Sequence, residues 1–353
     1  GWAGVFSRIE TRMMTMNTET RMRSIPRVLA LVASCSLLVV ACRGERTDQN
    51  VRQAGTAAAA SPTTHGSFDP ATWQPPPDSE IPKDSLGASI RRGLALVMHT
   101  SDSLPEYAPG NIKCTNCHIN GGRTADAAPL AGSQARFPKY MDRTGAVIGL
   151  ADRVNYCFTR SLAGNRLPVD SREMQDILAY IAWLSSGVPV GEGKKLPGAE
   201  GLRAMSVTLV GDRARGQVIF AGKCVACHGP NGAGNPALPP GIPALWGPKS
   251  FSVGASMARQ GKAASFIWHN MPYLQGKSLT PQEAFDVAAY IVAQPRPDSP
   301  GKERDWPLGG TPADVPYATK GHPAYNPPPT LPRANPERTL VAPPTPAPRS
   351  RTR

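Results

Sequence analysis

Two copies of one five-residue motif constrain this chain more than any other feature. The stretches Cys114–His118 and Cys224–His228 both read C-x-x-C-H. In such a motif two thiols on one turn of chain bond to the vinyl groups of one heme, and the histidine after them ligates the iron. A zinc site would need its two C-x-x-C pairs only ~15–20 residues apart, and a redox pair would lie in a βαβ pattern that is missing here. The sequence therefore predicts two covalently bound hemes c, held by Cys114, Cys117, Cys224 and Cys227, with His118 and His228 as iron ligands.

Helical signals flank each motif and predict two small helical units. In the first unit, residues 86–98 form a helix before the motif, and a capping box at Asp170-x-x-Glu173 begins a helix after it. In the second unit, residues 213–224 form a helix that leads into the motif, and Thr280 caps the last helix. This duplication predicts a mainly α chain with two tandem cytochrome c-like heme domains. We expect domain 1 at 83–187, a linker at 188–206 and domain 2 at 207–298.

The N-terminal segment is typical of an export signal. Basic residues after Met22 precede a mostly apolar run at 28–40, which is too short to span a bilayer. The run ends Val39-Val40-Ala41-Cys42, which resembles a bacterial lipobox in which the cysteine is lipidated. The alternative is ordinary cleavage nearby, with Cys42 a bystander. We expect residues 1–41 to be removed and the protein to be periplasmic, anchored to the membrane by lipid on Cys42.

Composition describes the two ends of the chain and excludes one class of partner. Residues 42–82 are rich in Ala, Ser, Thr and Pro, which predicts a flexible tether. Residues 299–353 are rich in Pro without apolar periodicity, so we expect a tail that is mostly disordered or lies over the surface. The formal charge of +13 raises the question of nucleic acid, but the basic residues are dispersed and only 6% of residues are aromatic. These properties exclude nucleic-acid binding.

Each heme iron has a second axial position, and the two units differ in what they offer for it. In the second unit, Met271 of Asn270-Met271-Pro272 lies on a loop before the last helix, where a thioether ligand raises the reduction potential. Met257 and His269 are the alternatives there. The first unit has Cys157 in the equivalent place. An anionic thiolate ligand lowers the reduction potential of its heme.

A count of the seven cysteines isolates Cys157. Cys35 leaves with the signal peptide, Cys42 takes lipid and four cysteines take heme, so Cys157 has no disulfide partner. A free cysteine is usually a small buried hydrophobe, and iron coordination is the alternative in an oxidising compartment. Basic residues surround it in sequence, and if the segment is helical, positions 153, 157, 160 and 161 share a face. Guanidinium groups beside a nucleophilic sulfur suit a small oxyanion, although they also suit solvent or heme propionates. The neighbours are Arg143, Arg153, Arg160 and Ser161.

Five stretches of sequence resemble one known family. They are RVNYCFTRS from residue 153, ILAYIAWLSSG from 177, PALWGPKSF from 243, NMP from 270 and DVAAYIVAQPRPD from 286. Over 83–298 the chain resembles the diheme thiosulfate dehydrogenases, also described as bifunctional tetrathionate reductases. The resemblance implies an active-site heme ligated by His118 and Cys157, with Arg143, Arg153 and Ser161 near the substrate. It implies a second heme, ligated by His228 and Met271, that passes electrons out. Some members are thought to exchange a lysine for the methionine, and here Asn270 stands where that lysine is expected.

The resemblance also implies a reaction and a partner. Two thiosulfates become tetrathionate, and two electrons pass to a small periplasmic cytochrome c or high-potential iron–sulfur protein. Our mechanistic hypothesis is that Cys157 carries a thiosulfate-derived sulfur adduct, which a second thiosulfate attacks as in thiol–disulfide exchange. Two other classes remain open. One is a diheme electron carrier without catalysis, and the other is a sulfur-oxidation cytochrome that conjugates thiosulfate to the cysteine of a carrier protein.

Overall fold

The computed structural model describes residues 68–197, 205 and 208–333. The predicted signal peptide, Cys35, Cys42 and most of the predicted tether lie outside the described residues, as do residues 334–353. Across the described part the chain is mainly helical, and the two motifs lie in two helical units. In that part of the chain, none of the helices combines the length and apolarity needed to cross a membrane.

Short helices and two small sheets make up the described structure. The helices of domain 1 are α1 (Ser85–Met98), α2 (Thr100–Ser103), α3 (Cys114–Cys117), α4 (Ile119–Gly122), α5 (Leu150–Tyr156) and α6 (Arg172–Trp183). Those of domain 2 are α7 (Arg213–Lys223), α8 (Val225–His228), α9 (Gln260–Asn270) and α10 (Pro281–Val292). Strands β1 (Lys139–Met141) and β2 (Ala146–Ile148) pair antiparallel, and β3 (Arg296–Pro297) and β4 (Thr330–Leu331) pair parallel.

Domain 1 is built on the crossing of α1 and α6. The predicted helix at 86–98 is confirmed to within one residue, and Asp84 caps it by accepting from the Gly87 amide at 2.8 Å. The helices touch where α1 carries Gly93, because a Cβ there would lie 2.0 Å from the Asp176 carbonyl oxygen. The capping box predicted at Asp170 is wrong. Ser171 is the N-cap instead, since its hydroxyl is the group that reaches the amide of Met174, at 3.2 Å.

Domain 2 repeats this construction with α7 and α10. A Cβ at Gly216 on α7 would lie 1.9 Å from the Asp286 carbonyl oxygen, so glycine again permits close packing. Arg215 pairs with the Asp286 carboxylate at 2.7 Å, as Arg92 pairs with Asp176 in domain 1. The capping box at Thr280 is confirmed. The duplication therefore extends from the motif order to individual contacts.

Of the two expectations for the tail, residues 299–333 follow the second, because they lie over the surface of the domains; we name this segment the C-terminal strap. Its side chains of Trp306, Val315 and Tyr317 are buried and form a small apolar cluster with Val253 of domain 2. Strand β4 lies in the strap and pairs with β3, and Arg333 donates to backbone carbonyls of Ala163 and Gly164 in domain 1. A few apolar residues spaced among prolines are enough to order this segment, because they bury against surfaces of both domains.

The predicted flexible tether is wrong at its end, since residues 68–82 pack on domain 1. The indole of Trp73 donates to the Ser186 carbonyl at 3.1 Å, and Asp78 pairs with Arg123 at 2.5 Å. Ile81 is buried in the domain 1 core. Domain 1 therefore includes residues that precede its predicted boundary at 83, because a few specific contacts offset the low apolar content of the segment.

Candidate active site

One cavity in domain 1 brings the predicted heme and substrate residues together. Cys114, Cys117 and His118 of the first motif line it together with Cys157 and Ser161. The rest of the lining is mostly apolar and comes from α1, α5, α6 and neighbouring turns: Val97, Ile112, Lys113, Leu130, Val154, Phe158, Leu162, Ile177 and Ile181. The structure therefore places Cys157, distant in sequence, beside the first heme-attachment motif.

His118 and Cys157 line the same cavity and are the two side chains there that would ligate a heme iron. The His118 Nδ1 atom hydrogen-bonds the Ala128 carbonyl, and a second partner of this kind fixes the tautomer of a ligating histidine. The other ring nitrogen is the one that would bind a metal, and Cys157 lies near enough to this ring for His118 to lower the pKa of its thiol. Two cysteines on one helical turn, an imidazole, a thiol and an apolar lining together fit a heme c.

Arg153 makes Cys157 unlike the other cysteines of this cavity. Its Nη1 atom donates to the Cys157 sulfur at 3.1 Å. Burial raises the pKa of the Cys157 thiol, but Arg153 and His118 outweigh burial and lower that pKa to about 6. Burial instead raises the pKa of both Cys114 and Cys117 to about 12. The charge of Arg153 therefore selects Cys157 as the thiolate of the site.

The segment from Cys157 to Ser161 is a π turn and not a continuation of α5. The Leu162 amide closes the turn by donating to the Cys157 carbonyl at 2.9 Å. The wider turn puts Ser161 in the cavity and directs Arg160 toward the strap, where its two terminal nitrogens each lie 2.6 Å from Asp305. The shared face expected for positions 153, 157, 160 and 161 is therefore wrong for Arg160, because a π turn changes the angular spacing of side chains.

Arg143 does not line the cavity, although the resemblance places it near the substrate. It lies in the turn between β1 and β2, and its Nε atom donates to Asp305 at 3.0 Å. Its Nη2 atom donates to the Gly254 carbonyl at 2.6 Å and to the Tyr317 hydroxyl at 2.5 Å. Burial lowers the pKa of the Arg143 guanidinium, and Arg160 lowers it further. Arg143 is thus a mostly buried cation behind the site, held by the strap and by domain 2.

Two charged residues near the site were missed from the sequence. Asp305 pairs with both Arg143 and Arg160, and it was missed because it lies in the tail, where the sequence predicted disorder or a surface course and no site residue. Lys139 on β1 is the other, since burial first, and then Arg136 and Arg153, lower its pKa. Its nearness to Arg153 has no signal in the sequence, because that placement depends on the tertiary fold.

The second motif lies against the core of domain 2, and Met271 packs on the same core. Cys224 and Met271 pack against the same apolar cluster, whereas Met257 packs against the core of domain 1 and meets Met271 only at the small pair of Ala127 and Phe266. His269, the other alternative, is buried beside the Asp126 carboxylate at 3.5 Å. Burial lowers the pKa of His228, which a neutral iron-binding imidazole requires, and the Pro243 carbonyl partly offsets this. The contacts therefore favour Met271 over its two competitors.

Comparisons with known proteins agree with this two-domain arrangement. A family model described as SoxA/TsdA, cytochrome c domain, matches residues 106–190, and the cytochrome c model matches residues 213–294. These matches confirm the two tandem cytochrome c domains and the two covalently bound hemes.

Relatives and a solved structure extend the match over both domains. The chain is 38% identical over 301 residues to a thiosulfate dehydrogenase of Psychrobacter arcticus, which covers 85% of this chain and 90% of that protein. It is 39% identical over 223 residues to a thiosulfate dehydrogenase of Allochromatium vinosum, covering 62% and 82%. The as-isolated thiosulfate dehydrogenase TsdBA from Marichromatium purpuratum superposes with a TM-score of 0.61 at 33% identity. That match covers 65% of this chain and 50% of that one.

Proposed function

Because the chain belongs to the thiosulfate dehydrogenase family and is an enzyme that oxidises thiosulfate, we propose that it joins two thiosulfates into tetrathionate at Cys157. The observation that carries the proposal is the position of this one thiol. It faces the His118 ring in the cavity of the first motif, with the Arg153 guanidinium 3.1 Å from its sulfur. A nucleophilic sulfur beside a bound cation and a heme-attachment motif combines the three groups that oxidative coupling of an anionic sulfur compound needs.

The coupling has two steps at the Cys157 sulfur. In the first, the thiolate and the terminal sulfur of one thiosulfate form a sulfur–sulfur bond, giving a cysteine S-thiosulfonate and two electrons. The two hemes, when bound, accept these electrons one at a time. In the second, the terminal sulfur of another thiosulfate attacks the outer sulfur of the adduct, which releases tetrathionate and returns the thiolate. The second step is a thiol–disulfide exchange, so it also runs in reverse.

The chain's own residues bind and orient the anions. Arg153 has no carboxylate partner among the described residues, so its charge is available to a sulfonate as well as to the Cys157 sulfur. The Ser161 hydroxyl lies in the same cavity and offers a further hydrogen bond. The apolar lining keeps bulk water from the adduct, and a low local dielectric strengthens the attraction between guanidinium and sulfonate.

Domain 2 would hold the heme that passes the electrons out, with His228 and Met271 as its ligands. Met271 shares the apolar cluster of Cys224, which supports a thioether-ligated heme of high potential as the outlet. A small periplasmic electron-transfer protein, either a cytochrome c or a high-potential iron–sulfur protein, fits as acceptor. A periplasmic location with a lipid anchor rests on the signal-like residues 22–41 and on Cys42. Growth with labelled palmitate tests the anchor, because Cys42→Ala should abolish label incorporation if this cysteine carries the lipid.

Replacement of Cys157 tests the chemistry. Cys157→Gly should abolish thiosulfate-dependent reduction of an artificial acceptor, and with it tetrathionate formation, while both hemes stay attached. Thr159→Val is the matched control, since its hydroxyl only donates to the Asn155 carbonyl at 3.0 Å in the same segment. Full activity of Cys157→Gly would refute the proposal. The assay uses the purified chain alone, so it also separates tetrathionate formation from conjugation to a carrier protein.

A further inference from the structure

The C-terminal strap contributes a carboxylate, Asp305, that contacts the π turn of the site outside the cavity. We propose that Asp305 is a positioning residue that holds the π turn carrying Cys157, and this inference rests on the proposed role of Cys157. Asp305 does not line the cavity. Its effect passes through Arg160, which belongs to the turn.

The contacts of Asp305 are those of a rigid buried anchor. Its side chain is only 4% exposed, and its two oxygens accept from Arg160 at 2.6 Å each. One of these oxygens also accepts from Arg143 at 3.0 Å and from the Tyr317 hydroxyl at 2.7 Å. Two guanidiniums, of Arg143 at 17% and Arg160 at 13% exposure, share this carboxylate, so its removal leaves both cations without their counter-ion in a poorly solvated place.

Arg160 transmits this anchoring to the turn. It lies three residues after Cys157, and its own backbone carbonyl accepts from the Ser252 amide at 3.1 Å and hydroxyl at 2.7 Å. The guanidinium also stacks over Tyr156, 5.3 Å from the ring centroid. The side chain and the backbone of one residue are thereby held by groups outside domain 1.

A π turn needs such support. It is rarer than α-helix and recurs at functional sites. If Arg160 is released, the turn can close with α-type hydrogen bonds, which removes one residue of spacing and rotates the residues after Cys157 by about 100°. That rotation takes Ser161 out of the cavity and changes how Cys157 faces His118. Asp305 therefore keeps the geometry that the thiolate needs.

A second strap carboxylate separates this role from general attachment of the strap. Asp314 accepts from Arg259 at 2.7 Å and from the Gly261 amide at 3.0 Å, both in domain 2. It fastens the same strap by the same kind of ion pair, but its partners lie in domain 2 and not in the π turn. Asp314→Asn is therefore the matched control for Asp305→Asn.

The experiment compares the two variants as diheme holoenzymes. The readouts are the electron paramagnetic resonance signature of thiolate ligation at the first heme, the alkylation rate of Cys157 by iodoacetamide, and kcat/KM. We expect Asp305→Asn to alter the signature, speed alkylation and lower kcat/KM by roughly 10–100-fold, as loss of the residues that orient a metal ligand does. Asp314→Asn should leave all three unchanged.

Two results would overturn the proposal. One is an equal change in both variants, which would mean that Asp305 only attaches the strap to the domains. The other is an unaltered signature and alkylation rate in Asp305→Asn. If that variant does not fold, Tyr317→Phe removes one hydrogen bond to Asp305 and keeps the ion pairs, and it should shift the same readouts less far. Ligation and alkylation need no thiosulfate, so they are decided independently of whether Cys157 forms tetrathionate.

Discussion

Replacement of Arg153 tests the electrostatics of the site most directly. Arg153→Leu removes the donor that lies 3.1 Å from the Cys157 sulfur and keeps an apolar stem of similar reach. A hydrogen bond that involves a charged group contributes about 1.5–3 kcal/mol. Since each 1.36 kcal/mol is tenfold in rate, the loss corresponds to about 10- to 150-fold in kcat/KM.

The assay measures initial rates of thiosulfate-dependent reduction of an artificial acceptor at varied thiosulfate. In Arg153→Leu kcat should fall, because the guanidinium contacts the Cys157 sulfur, and KM should rise, because the guanidinium also attracts the anionic substrate. Arg153→Lys should recover part of the loss, since it keeps the charge without the planar fork. Absorbance of the attached hemes verifies that both cofactors are present.

A charge-matched control separates the local contact from the overall field. Arg166 is 48% exposed and pairs with Asp152 at 3.1 Å, so Arg166→Leu removes the same formal charge from the surface of the same domain. Exposed pairs contribute about 0–1 kcal/mol and are screened by salt. We expect its kcat/KM to stay near the parent value. An unchanged kcat/KM in Arg153→Leu, or an equal fall in Arg166→Leu, would refute the reasoning.

Three further predictions concern domain 2. Gly216→Ala should lower the free energy of unfolding by about 1–3 kcal/mol, because the new Cβ overpacks against Asp286. Gly222→Ala on the same helix should raise the free energy of unfolding by about 0.5–1 kcal/mol, since nothing lies within 4 Å of its Cβ. Denaturant titration of the holoprotein checks both. Burial raises the pKa of Asp286, but the bonds from Arg215 outweigh it and hold that pKa below 3.8, so its stabilisation is present above this pH and is lost as the pH falls through the folded pKa. Unfolding of Asp286→Asn should therefore depend less on pH at the acid end, and an unchanged acid slope would contradict this. Met271→Gly should keep the second heme attached and lower its reduction potential, which a redox titration measures.

Local sequence signals predicted the helical framework well. The spacing of apolar residues placed α1 to within one residue, and the Thr280 capping box with Pro281 placed the start of α10. Such signals depend on neighbours within one or two turns, so a single sequence carries them. The cap at Ser171 in place of Asp170 shows their limit, because adjacent residues of similar capping propensity are distinguished only by the final backbone path.

Cysteine chemistry explains why the main site residue could also be found from the sequence. Covalent heme attachment assigns four thiols by their spacing, which leaves Cys157 as the thiol without a partner once export and lipidation are assumed. The structure then places this thiol in the cavity of the first motif, beside Arg153. That outcome depends on count and spacing, which are properties of the chain itself.

The tertiary structure alone decided how the charges are distributed around that thiol. Arg143 and Arg160 approach Cys157 in sequence, yet both turn to Asp305, which follows them by more than a hundred residues. A π turn and a strap that joins both domains produce this result, and each depends on contacts between distant segments. The sequence by itself determined two heme domains and one unpaired thiol, because these follow from local spacing. Which cation contacts the thiol was decided by the fold, because ion pairs form between residues that are close in space, whatever their separation along the chain.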